Sequence, residues 1–128
     1  MARGTRRGFT LIELLVVMAI IATLLTLALP RYFGSVDRSK EVTLVQSLAT
    51  MRDAIDKFYA DNGRYPDQIA DLVDKRYLRA VPIDPITESK DTWIVIAPPA
   101  NAALKGNVYD VKSGAQGKTR DGVDFSQL

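Results

Sequence analysis

The chain has 128 residues, enough for one modest domain beside its apolar N-terminal run, and 25% of them are charged. Its net charge is +2, but Arg3, Arg6 and Arg7 precede every acid, leaving 14 basic against 15 acidic residues from Phe9 onward. With no basic stripe interleaved with aromatics in the body, no nucleic-acid partner is expected, and with no Cys and no His, thiol and imidazole catalysis, disulfides and ordinary zinc sites are excluded.

The first element is the apolar run from Phe9 to Leu29, 21 residues whose one charge is Glu13. That length approaches the roughly 20 residues a helix needs to cross a bilayer. The arginines before it put the N-terminus in the cytoplasm and the rest of the chain outside. A cleavable secretory signal is the competing reading, but its apolar core is shorter and ends in a small-x-small site, whereas LALPRYFG follows here. Pro30 is expected to break or kink a helix, because it lacks an N–H and crowds the preceding turn.

Beyond Gly34, the apolar residues Leu44, Leu48, Met51, Ile55 and Phe58 recur at spacings of four and three, which predicts an amphipathic helix. A single helix from Phe9 to Ala60 would span roughly 78 Å. DNGRYP at 61–66 ends it, and Asp67 is expected to cap a short helix running to about Lys75. VPIDP at 81–85 reads as an extended connector, TWIVIA at 92–97 as a buried strand, NVYDV at 107–111 as a second strand and GVDFS at 122–126 as a third. The fold class expected is therefore α+β: a long N-terminal helix, membrane-spanning then amphipathic, packed on a small antiparallel sheet of about three strands.

RRGFTLIELLVVMAIIATLLTLALP, residues 6–30, resembles the leader and N-terminal helix of type IV pilins and type II secretion pseudopilins. FYADNGRYP and YLRAVPIDP, with a Gly-rich tail and no Cys, look most like the major pseudopilin of secretion systems. The resemblance implies that a prepilin peptidase cuts between Gly8 and Phe9 and methylates the new Phe9 amine. It makes Glu13 the fifth mature residue and implies that Glu13 neutralises the Phe9 amine of a neighbouring subunit during fibre assembly. An intramembrane acid is a functional candidate on physical grounds too. Such a cut removes all three leader arginines and leaves one amine at the tip of the anchor.

The organisation implied is a cleaved leader (1–8), a transmembrane assembly helix (9–30), an amphipathic helix (31–61) and a small periplasmic head (62–128). The partners implied are further copies through the N-terminal helices, the peptidase, an inner-membrane platform with its ATPase, and minor pseudopilins. The chain carries no phosphate-binding Gly loop of its own. The location implied is the inner membrane, then a periplasmic filament. A pilin of surface or DNA-uptake pili is the alternative, and a single-pass anchor with a binding or enzymatic head is a third class. The resemblance also implies calcium in the C-terminal loop, where Ser113, Asp121 and Asp124 are the candidate ligands. Gln116 stands there in place of a family carboxylate, and Lys112, Lys118 and Arg120 add positive charge.

Overall fold

The computed structural model describes residues 8–128. Arg3, Arg6 and Arg7 of the expected leader lie outside the described residues. One helix, α1 (Leu11–Asn62), accounts for 52 residues. The chain divides into two compact units, one ending at Asp37 and the other running from Arg38 to Leu128.

Up to Leu29, α1 is apolar apart from Glu13 and exposed on every side, with Leu11, Ile12, Leu15, Leu24 and Leu27 all more than half accessible. A helix hydrophobic all round has no polar face to turn to water, so its medium is lipid or other helices. Two of its threonine hydroxyls are satisfied within the helix. The Thr23 hydroxyl donates to the Ala19 carbonyl and that of Thr26 to Ala22, each at 2.8 Å. Such back-bonding removes the penalty of a bare hydroxyl in hydrocarbon. Pro30 does not break the helix, which runs through it. Its missing N–H deprives only the Thr26 carbonyl of a partner, a loss that membrane helices tolerate.

The second unit is built on α1 from Arg38 onward, whose apolar stripe packs into the core as its spacing leads one to expect. Leu44, Leu48, Met51, Ala54, Ile55 and Phe58 are buried along one face of α1. They cluster with Leu72, Leu78, Trp93, Val108, Val111, Ala115 and Phe125. Full burial of side chains this size contributes about 1.5–3 kcal/mol each. Gly63, at φ 69°, turns the chain after α1. The short helix α2 (Ala70–Asp74) follows, two to three residues later than expected. Asp67 is not its cap. The Asp67 carboxylate pairs with Arg64 at 2.7 Å, and Asp71 accepts the backbone N–H groups of Asp67 and Gln68 instead.

Strands β1 (Ile94–Ile96) and β2 (Asp110–Lys112) form a two-stranded antiparallel sheet, with Ile94 opposite Lys112 and Ile96 opposite Asp110. β1 is not buried as its composition suggests: Ile94, Val95 and Ile96 are 48%, 40% and 40% exposed. Among the described elements β1 packs only against its partner strand β2, so no layer covers it. The third expected strand is absent as such. Residues 122–126 fold back locally, Asp124 bridging Lys118, and then enter a 3-10 turn, Phe125–Gln127, that sends Phe125 into the core. Gly117 and Gly122, at φ 100° and 83°, make that fold-back available.

Candidate assembly and processing site

Gly8 and Phe9 precede the first helical turn, and Phe9 is 92% exposed. The peptide between them is therefore outside the hydrogen-bonded helix, as a scissile bond must be to enter a protease in extended form. A side chain built on Gly8 would meet nothing within 4 Å. The chain's own packing does not require glycine there, so any such requirement comes from an enzyme reading the site.

Thr10 and Glu13 form a reciprocal pair at the start of α1. The Thr10 hydroxyl accepts the Glu13 N–H at 3.2 Å, and the Glu13 carboxylate accepts the Thr10 N–H at 3.3 Å. The Thr10 carbonyl takes the Leu14 N–H at 3.2 Å. This is a capping box, which satisfies two N–H groups that a helix start otherwise leaves bare. The T-x-x-E spacing signals it in sequence, a signal masked by the oddity of an acid in an apolar run. The box occupies one lone pair of the roughly four that a carboxylate offers. Glu13 thus holds its own helix end and keeps acceptor capacity for a cation one residue beyond Thr10 or on another chain.

The three C-terminal candidates sit in different surroundings. Ser113 is 1% exposed, and its hydroxyl donates to the buried carboxylate of Asp84 while accepting the Ala115 N–H at 3.1 Å. Asp121 is exposed, and Asp124 sits in the backbone bridge to Lys118. Among the described residues no three His, Cys, Asp or Glu side chains are grouped to hold a metal ion. Ser113 is already engaged with Asp84, and Gln116 is a neutral, exposed side chain.

Two polar centres emerge that sequence patterning does not single out. Asp84, fully buried, accepts the N–H groups of Ile86 and Thr87 at 2.8 and 3.3 Å besides the Ser113 hydroxyl. Arg52 on α1 reaches Asp110 at 2.8 Å, the Val111 carbonyl at 3.0 Å and the Leu128 carbonyl at 2.7 Å. Both tie distant segments together and neither faces a catalytic partner. Tyr77 donates to Asp61 at 2.7 Å, and this hydrogen bond, with some desolvation, raises the phenol above its usual pKa.

A helix apolar all round, opening in a capping box behind an accessible Gly-Phe bond and leading into a small α+β unit, has the features of a membrane-anchored subunit of the pilin type. Residues 3–29 match the family described as the prokaryotic N-terminal methylation motif. The chain is 31% identical over 126 residues to the fimbrial protein EcpC of Eikenella corrodens, covering 93% of this chain and 74% of that one. It is 36% identical over 66 residues to the type II secretion system core protein G of Klebsiella michiganensis, covering 52% and 46%. With core protein G of Escherichia coli strain K12 it shares 34% over 65 residues, covering 51% and 45%. No solved structure matches significantly. The chain belongs to the type IV pilin and pseudopilin family. Its matches to the core G proteins span about half the length of those relatives. Family and apolar helix together make it a single-pass inner-membrane protein, and the family's role is structural.

Proposed function

We propose that the chain is a structural subunit of a type II secretion pseudopilus. It is stored in the inner membrane with its N-terminus in the cytoplasm and its head in the periplasm. A prepilin peptidase cuts between Gly8 and Phe9 and methylates Phe9. Subunits then polymerise through their N-terminal helices, Glu13 receiving the Phe9 amine of an incoming copy. An inner-membrane platform and ATPase supply the work, and minor pseudopilins complete the tip.

The observation that carries this reading is a helix of 52 residues that is apolar on all sides from Leu14 to Leu29 and headed by Glu13. Packing between copies gives that surface and that carboxylate partners outside lipid. The test is co-expression with a secretion platform, ATPase and peptidase, scored for periplasmic fibres. Fibres, with an N-terminus at methylated Phe9 by mass spectrometry, are expected. Unprocessed monomer under those conditions overturns the reading.

The alternative, a pilin of surface or DNA-uptake pili, is favoured by the near full-length similarity to a fimbrial protein. The shorter core G matches and the Cys-free head favour secretion. Loss of export in a deletion strain with surface pili intact decides for secretion, and the converse phenotype for the pilus.

A further inference from the structure

The segment from Ser113 to Phe125 is closed by protein groups at every turn. At one side, the Glu41 carboxylate of α1 accepts the Arg120 backbone N–H at 2.7 Å. At the other, Asp84 holds the Ser113 hydroxyl, which in turn holds the Ala115 N–H. Between them the Thr119 N–H donates to the Val123 carbonyl at 2.7 Å, and the Val123 N–H to the Thr119 hydroxyl at 3.2 Å. The Phe125 N–H reaches the Gly117 carbonyl at 3.2 Å. Ala115 and Phe125 are sunk in the core at 8% and 7% exposure.

Charge points the same way. Calcium is held by six to eight oxygens, with carboxylates supplying negative charge. From Ser113 to Asp124 the chain carries two acids, Asp121 and Asp124, and two bases, Lys118 and Arg120. A segment with no net negative charge offers a divalent cation little, and the carboxylates that do hold it, Glu41 and Asp84, come from outside it and already accept its hydrogen bonds. Bonds from N–H or O–H to a carboxylate are the stronger, charge-assisted kind.

We infer that this loop is a metal-independent closure, clamped by Glu41 from α1 and by Asp84 from the connector, and that the head folds and assembles without calcium. Only the assembly clause rests on the fibre reading above. Glu41 and Asp84 do by hydrogen bonding what a bound ion does by coordination: they fix a Gly-rich segment against the helix.

The test uses the full chain in detergent micelles, with unfolding followed by Trp93 fluorescence. Trp93 is the chain's one tryptophan, it is buried, and its indole N–H donates to the Pro82 carbonyl at 2.8 Å, beside Asp84. The expected result is one Tm in millimolar calcium and in chelator, with no saturable terbium luminescence. A site filled at about a hundred times its Kd would raise Tm by roughly 10 °C or more for a domain this size. A saturable rise, reversed by chelator, overturns the inference. Glu41→Ala is expected to lower Tm by roughly 4 °C and to speed hydrogen exchange at 117–124, with calcium restoring nothing. Should that variant not fold, Glu41→Gln, which keeps an oxygen acceptor, gives the same comparison, and rescue of either by calcium counts against the closure. Fibres formed in chelator support the assembly clause, and fibres formed only with calcium overturn it. Fibres in neither condition count against the fibre reading instead, while melting still decides the loop.

Discussion

The Thr10 N–H and the Glu13 carboxylate meet at 3.3 Å, and the Glu13 N–H and Thr10 hydroxyl at 3.2 Å, so the acid proposed for assembly also caps its own helix. The two roles are separable by mutation. Thr10→Ala removes the hydroxyl half of the box, at a cost of about 0.5–2 kcal/mol to the helix end, and leaves the carboxylate charge. Glu13→Gln keeps an acceptor and removes the charge. If charge pairing with an amine drives assembly, Glu13→Gln should abolish fibres while the protein stays in the membrane fraction, and Thr10→Ala should only reduce them. Equal fibre yields from wild type and Glu13→Gln, counted by electron microscopy, would remove Glu13 from the assembly step.

The Gly8–Phe9 bond supplies a second prediction. No atom lies within 4 Å of where a Gly8 side chain would begin, so Gly8→Leu should leave folding and membrane insertion unchanged. Its effect should fall on the peptidase alone. Intact mass should then show the leader retained in the variant and absent from the wild type when peptidase is present. Complete processing of Gly8→Leu would place the cut elsewhere.

Arg52 joins α1 to β2 and to the last residue, with partners 58, 59 and 76 positions away. Its side chain and that of Asp110 are 34% and 31% exposed, so solvent screens the pair in part. Arg52→Met, which keeps the packing stem, is expected to destabilise the head by about 1–2 kcal/mol. Asp110→Asn should lose less, since the two carbonyl contacts of Arg52 survive. Denaturant unfolding of both variants checks the order, and a larger loss in Asp110→Asn would show the ion pair to dominate the clamp.

These centres also show where reading the chain by pattern stops. The apolar run, the stripe from Leu44 to Phe58 and the turn at Gly63 are legible because each is a local signal of periodicity or conformational preference. The T-x-x-E box is local as well and equally readable. Arg52 and Asp84 are not, because their partners are set by how the chain closes on itself: a charged residue on a helix flank and an Asp between prolines look like surface and turn. The exposure of β1 depends on what packs over the sheet, which its own β-branched composition does not carry. The C-terminal loop lies between these cases. Gln116, Lys118 and Arg120 mark a departure from a calcium loop, but Glu41 and Asp84, which take over its closure, lie 79 and 29 residues from the groups they hold.

Alkaline pH tests the Tyr77–Asp61 contact. The phenol donates to Asp61 at 2.7 Å, and its pKa lies above the usual 10.0. In the unfolded chain the group titrates at its ordinary value, so between the two pKa values the native state binds more protons than the unfolded one. Stability contributed by this contact is therefore full below about pH 10 and falls as pH rises through the native pKa. Tyr77→Phe removes the hydroxyl and keeps the edge-on ring contact with Phe58, whose centroid lies 5.4 Å away. The variant should lose less stability than wild type between neutral pH and the alkaline range, and one late-titrating phenol should vanish from the ultraviolet absorbance titration. Parallel stability curves for the two proteins would show that the Asp61 hydrogen bond does not govern the alkaline limb.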